Sequence, residues 1–117
     1  PRPPLLKRSV DLAPRRSDFR VNFGNLLRSN GRLRDAEEQY SIALELEPNS
    51  RIARLALARL LNEGGAHEAA RAEAQVLVEN DARDAEAWTA LGQAQRALGD
   101  LVAAEASYRR ALDLKPG

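Results

Sequence analysis

The 117-residue chain contains no cysteine, no methionine and a single histidine, and only 4% of its residues are aromatic. Without cysteine there is no disulfide framework, no thiolate metal site and no cysteine nucleophile. No apolar run approaches the ~20 residues that span a bilayer, so no membrane segment is expected. Neither sign of charge dominates: 18 Lys and Arg face 17 Asp and Glu, leaving +1. That balance lacks the single-sign field of a dedicated nucleic-acid or membrane-surface binder. Absence of cysteine suits a cytoplasmic setting, and a periplasmic one equally. What the chain has in excess is alanine and leucine, 21 and 18 residues, which favour helix. It starts at Pro1 and stops at Lys115-Pro116-Gly117, and reads as a piece of a longer protein.

Residues recur with a period of 34. Gly31, Gly65 and Gly99 keep that spacing, as do Ala36, Ala70 and Ala104. Pro14, Pro48 and Pro116 share one slot, with Ala82 in the missing place, and Gly24, Ala58 and Gly92 share another that is always small. Tyr40 and Tyr108 lie two periods apart with Ala74 between them. A fixed period without insertions is the signature of stacked supersecondary units. Each period holds two helical stretches, predicted at about 18–30, 51–63 and 85–98 for the first set and about 34–47, 67–80 and 101–114 for the second. The glycines should end the first helices in the left-handed conformation. Asp100 is placed to cap the helix after it, and Pro48 and Pro116 should stop the second helices. Gly24/Ala58/Gly92 and Ala36/Ala70/Ala104 should mark where the two helices of a unit cross, because larger side chains would push the axes apart.

The third period, Trp88-x-x-Leu91-Gly92 followed by Ala104, Tyr108, Ala111 and Pro116, resembles a tetratricopeptide repeat, departing from it at Gln95, where an aromatic is usual. The first period matches through Phe23-Gly24, Leu27, Ala36, Tyr40, Ala43 and Pro48, with Arg20 in the slot of Trp88. The second is the most divergent: Arg54, Ala74, Leu77 and Ala82 replace the usual types. There Ala74 and Leu77 stand against Tyr40/Ala43 and Tyr108/Ala111, a swap that roughly keeps core volume. The resemblance implies an all-α fold, a right-handed superhelix (solenoid) of three helix-turn-helix repeats at 17–50, 51–84 and 85–117. Residues 1–16 should be the tail of a preceding repeat, with Leu5–Leu12 as the end of its second helix and Val10, Leu12 and Pro14 aligned with Leu44, Leu46 and Pro48.

Catalytic candidates are few. His67 stands where the other periods have Leu33 and Leu101, and reads as a partly buried residue at a helix start rather than a base. Ser17, Ser29, Ser41, Ser50 and Ser107 lack a nucleophile-elbow context. Glu37, Glu38, Glu45 and Glu47 read as a solvated helix face, and Gly64-Gly65 as a turn without phosphate-loop spacing. No enzymatic activity, cofactor or metal site is expected. The first 20 residues carry a local charge of 6 − 2 = +4 (Arg2, Lys7, Arg8, Arg15, Arg16 and Arg20 against Asp11 and Asp18). Aromatics for base stacking are missing there except Phe19, so nucleic acid is not expected as a partner.

In the resembled family the first helices line a concave groove that holds partner segments. The residues placed there are Val21, Asn22, Asn25 and Arg28 in the first repeat, Leu55, Arg59 and Asn62 in the second, and Gln93 and Arg96 in the third. The amides offer donors and acceptors to an extended peptide, the arginines offer planar donors to carboxylates, and Val21, Ile52 and Leu55 add a short apolar strip. Some family members clamp acidic chaperone tails with Lys, Asn and Arg. The matching slots hold Val21, Asn25, Ala56, Glu86 and Ala90, of which Asn25 alone fits, so that ligand is not expected. The expected function is a non-enzymatic module that binds an extended peptide segment of a protein partner. The alternative is a recruitment or spacer arm of a larger bacterial enzyme such as a sulfotransferase, glycosyltransferase or oxygenase. Leu101, Leu112 and Leu114 on the last helix also raise self-association through exposed terminal helices.

Overall fold

The computed structural model of the protein describes residues 13–115. Among them are six α-helices and no strand: α1 (Ala13–Ser29), α2 (Leu33–Leu46), α3 (Arg51–Glu63), α4 (His67–Asn80), α5 (Ala85–Ala97) and α6 (Leu101–Leu114). The chain divides into two compact units, one up to Ala53 and one from Arg54, so the boundary falls within α3.

The turn from a first to a second helix is made three times in the same way. Gly31, Gly65 and Gly99 adopt φ of 79°, 83° and 86°, and no other described residue type takes a positive φ. In each case the residue after the glycine donates its N–H to a carbonyl five residues back: Arg32 to Leu27, Ala66 to Leu61 and Asp100 to Gln95, at 2.8–2.9 Å. The glycine N–H bonds to Arg28, Asn62 and Arg96 respectively. This is the paired bonding of a Schellman cap, and it satisfies carbonyls that the helix end leaves open.

The opposite turns differ in detail. Ser50 Oγ accepts the Ala53 N–H at 3.1 Å, which starts α3 just past Pro48. The second turn manages without a proline: Asp81 Oδ1 accepts the Arg83 N–H at 3.0 Å, an Asx turn that ends α4 without the fixed φ of a Pro. The Trp88 indole N–H then donates to the Ala82 carbonyl at 2.8 Å. α5 begins at the buried Asp84, whose carboxylate accepts the Ala87 N–H. Asp100 caps α6 through the Ala103 N–H, as its position suggests.

α1 departs from the expected start near residue 18, since it begins at Ala13. Ala13–Arg16, expected within the segment 1–16, are thus continuous with the first helix. Pro14 sits in the opening turn, where its missing N–H would have had no intrahelical partner and its φ is already helical. The remaining residues of the expected tail, including Leu5–Leu12, lie outside the described residues, as does the stop signal at Pro116.

In the first unit α1 packs on α2. Tyr40, fully buried on α2, lays its ring over Gly24 of α1; a Cβ on Gly24 would fall 2.6 Å from the Tyr40 Cε1. Its hydroxyl donates to Asn25 Oδ1. Ala36 and Ala43 complete the small-residue face of α2, and Leu27 is buried opposite them on α1. Arg20 Nη1 donates to Gln39 Oε1 at 2.9 Å, bridging the two helices.

The second unit holds the larger core. Leu55 and Ala58 of α3, Ala74, Leu77 and Val78 of α4, and Ala87, Ala90 and Leu91 of α5 form one buried cluster, with Trp88 packed against it. Leu77 thus fills the volume that tyrosine fills elsewhere, next to the reduced Ala74. Arg54 and Glu73 form an ion pair at 2.6 Å, each side chain mostly shielded. They occupy the slots of Arg20 and Gln39 one period on. In the third hairpin Trp88 replaces the arginine and Ser107 replaces the glutamate, so that no cross-helix pair of that kind exists. Buried Ser107 instead bonds Gln95 Oε1 at 2.6 Å, which explains a glutamine in a slot where an aromatic is usual. Tyr108 again covers a glycine, its ring carbons 3.2 Å from where a Gly92 Cβ would be.

Candidate functional site

The first helices α3 and α5 lie side by side in the second unit and are tied at two levels. The Asn62 Nδ2 donates to the Ala90 carbonyl at 3.1 Å, and Arg59 Nη2 meets Glu86 Oε2 at 2.7 Å. Beneath these ties Leu55 and Ala58 pack with Ala87, Ala90 and Leu91. The result is a polar seam over an apolar floor, formed because the small residues Ala58, Ala87 and Ala90 let the two backbones approach.

Placing the expected groove residues on the structure separates them into three groups. Val21 and Leu55 are buried, and Leu55 belongs to the core cluster beneath α5, so the apolar strip expected from Val21, Ile52 and Leu55 does not exist as a surface. Ile52 alone of the three is exposed. The physical reason at Leu55 is that a first helix is covered both by its own partner helix and by the next first helix. Its buried arc is therefore wider than one amphipathic stripe.

Asn62 and Arg59 form the second group. Asn62 has both ends of its amide engaged, since its Oδ1 also lies 3.1 Å from His67 Nδ1. It ties α3 to α5 and to the start of α4. Arg59 remains about half exposed while paired with Glu86. Asn25 sits between the groups, exposed but with its side-chain Oδ1 accepting from the Tyr40 hydroxyl. Arg28 is half-buried.

Asn22, Gln93 and Arg96 form the third group, with exposed side chains. Gln93 and Arg96 are one turn apart on α5, next to the seam, while Asn22 lies on α1 in the other unit. His67 is the half-buried first residue of α4, as expected for a helix-start position. Among the described residues no group of His, Cys, Asp and Glu is arranged to hold a metal ion, and no helix is long and apolar enough to cross a membrane.

Sequence reasoning passes over one feature. Phe19, Phe23 and Leu26 form an exposed apolar stripe on α1. The signal was available in their i, i+4, i+7 spacing on a helix otherwise rich in polar residues.

Repeated α-hairpins with a common turn, a common crossing glycine or alanine and packed first helices define an all-α tandem-repeat protein. Two tetratricopeptide-repeat family models match it, one over residues 21–85 and one over residues 85–117. The chain belongs to the tetratricopeptide repeat family. Similar solved structures include the first tetratricopeptide domain of Spaghetti (RPAP3) bound to the HSP90 peptide SRMEEVD. It has a TM-score of 0.85 at 20% identity, covering 88% of this chain and 82% of that one. The tetratricopeptide domain of Arabidopsis OM64 gives a TM-score of 0.85 at 21% identity, covering 89% and 86%. That of Sgt2 from Aspergillus fumigatus gives 0.81 at 25% identity, covering 85% and 66%. A search of curated protein sequences finds no match.

Proposed function

We propose that this protein is a non-enzymatic interaction module that holds an extended peptide segment of a protein partner. The observation that carries this reading is the α3–α5 seam. Two first helices are locked in register by Asn62 and by the Arg59–Glu86 pair, with Gln93 and Arg96 exposed beside them. A pre-formed polar surface of this kind satisfies the backbone groups of an extended chain at little ordering cost to itself. Arg96 supplies a planar donor for an acidic side chain and Gln93 a donor–acceptor pair for a peptide group. On α1, Asn22 and Asn25 offer the same chemistry in the first unit.

The peptide class differs from that of the HSP90-bound relative. The slots for a clamp on a C-terminal carboxylate hold Val21 and Ala90, both buried, Ala56, half-buried, and Glu86, already paired with Arg59. A cation is missing where the carboxylate would need one, and Glu86 adds a like charge. The peptide SRMEEVD should therefore show no saturable binding in a calorimetric titration. Nothing in the comparisons favours the alternative of an arm on a larger enzyme.

The test is selection of unstructured peptides from a displayed library on the full chain, followed by affinity measurement with the Gln93→Ala/Arg96→Ala variant. Both side chains are exposed, so the fold should survive the change. A loss of tenfold or more in affinity supports the seam as the binding surface. An unchanged Kd for every selected peptide overturns it.

A further inference from the structure

His67 is the single histidine of the chain, and its ring is tied into the seam. Nδ1 lies 3.1 Å from Asn62 Oδ1, while Nδ2 of the same amide donates to the Ala90 carbonyl, also at 3.1 Å. A carbonyl on α5, an amide on α3 and an imidazole at the first position of α4 thus stand in one line of hydrogen bonds. All three lie in the unit from Arg54 onward. The chemistry of the first group decides the state of the last. A backbone carbonyl only accepts, so the amide must turn Nδ2 towards Ala90 and Oδ1 towards His67. Oδ1 in turn only accepts, so the proton between it and the ring sits on Nδ1. In the neutral imidazole Nε2 is then left unprotonated, and among the described residues the ring makes no other hydrogen bond.

Neither of the other hairpins can form these bonds. The slot of Asn62 holds Arg28 and Arg96, whose side chains offer no acceptor, and the slot of His67 holds Leu33 and Leu101, which offer no donor. The middle hairpin also has Ala66 before its second helix, with no side-chain acceptor for the first-turn N–H groups. The start of α4 is instead fastened to α3 through the His67 ring.

We infer that His67 is a positioning residue of the α3–α5 seam, held as the Nδ1–H tautomer so that it fixes which way the Asn62 amide faces. Without the ring, Asn62 Oδ1 has water as its partner and the amide can swing away from Ala90. With the ring in place the amide is gripped at both ends, and the register of α3 against α5 is held with it. The effect on peptide binding rests on the reading proposed above; the tautomer and the grip on Asn62 do not.

Two-bond 1H–15N correlation spectra of the full chain test the tautomer, recorded at about pH 8.5, above the ordinary imidazole range. Nδ1 should resonate as a protonated nitrogen and Nε2 as an unprotonated one. A ring with its proton on Nε2, or an even mixture of the two forms, overturns the inference without need of any variant. The grip on Asn62 is read from two substitutions with helix content checked by circular dichroism. His67→Leu installs the residue of the other hairpins, and His67→Asn keeps an N–H donor in the place of Nδ1. The Asn62 Nδ2 protons should exchange with water about fivefold faster in His67→Leu, the equivalent of one hydrogen bond, and return close to wild type in His67→Asn. Equal exchange in all three proteins overturns the positioning role. Affinity for a peptide selected on the full chain should follow the same order, falling about fivefold in His67→Leu and recovering in His67→Asn. Faster exchange with unchanged affinity supports the grip on Asn62 and overturns the seam as the surface that holds the peptide.

Discussion

At the scale of single residues, the small positions shared by the hairpins are not equivalent in energy. A methyl group on Gly24 would overlap rigid ring carbons of Tyr40, at 2.6 and 2.8 Å, whereas on Gly92 it would press on Tyr108 at 3.2 Å. Alanine in a helix interior is favoured over glycine by about 1 kcal/mol, and overpacking costs about 1–3 kcal/mol. Gly24→Ala should therefore destabilise by about 1–2 kcal/mol while Gly92→Ala stays within about 0.5 kcal/mol of wild type, read by urea unfolding. Tyr108 is half-buried and can yield where the enclosed Tyr40 cannot. Trp88 separates into two contributions in the same way. Trp88→Phe keeps most of the packing and removes the indole bond to Ala82, costing about 1 kcal/mol. Trp88→Ala also opens a cavity and should cost about 3 kcal/mol, the low end for such truncations because the ring is only partly buried. Much of this was legible in the residues alone: the spacing of Gly24, Gly92, Tyr40 and Tyr108 marks the crossings before any coordinates. The fate of Asn62 was not, because its bond to the Ala90 carbonyl depends on the separation of two helices and not on anything local to Asn62.

The helix ends show how unevenly the hairpins are finished. The turns before α2, α4 and α6 have nearly the same backbone at the capping residue, with φ and ψ of −87° and 71° at Arg32, −86° and 64° at Ala66, and −86° and 76° at Asp100. Asp100 alone accepts a hydrogen bond there from the helix it precedes. The first-turn N–H groups of α4 lack that side-chain acceptor although the geometry for one exists. Ala66→Asp should reproduce the Asp100 cap on the Ala69 N–H and stabilise by about 0.5–1 kcal/mol; a melting temperature that does not rise would show that the turn cannot use it. The reverse change, Asp84→Ala, removes a buried cap and should cost about 1–2 kcal/mol in the same assay. Helix boundaries were readable to within a few residues wherever a glycine or an Asp marked them. The start of α1 was missed because Pro14 shares a register with Pro48, and the register alone cannot tell a proline that stops one helix from a proline that opens the next. Leu55 was misplaced for a different reason: an amphipathic pattern marks one stripe, and a first helix between two neighbours has two.

For the molecule as a whole, stability in a repeat protein is close to a sum of unit and neighbour contributions, so the two compact units need not unfold together. The eight-residue core cluster and Trp88 lie in the unit from Arg54 onward. Among the described residues, the unit up to Ala53 has a smaller set of buried apolar side chains and carries the exposed Phe19, Phe23 and Leu26. In urea, the fluorescence of Trp88, the single tryptophan, should therefore report a higher midpoint than helix content followed by circular dichroism, which averages both units. Coincident curves would mean that the boundary within α3 is energetically invisible. The three turns at Gly31, Gly65 and Gly99 have one further consequence. Because each hairpin folds back on itself through the same hydrogen-bonded turn, and these turns recur at the same 34-residue interval, unequal recombination between the gene segments that encode them would add or delete one whole period with its turn intact. The length of such a protein can drift in whole steps during evolution, and selection can act on reach separately from the chemistry of any one surface.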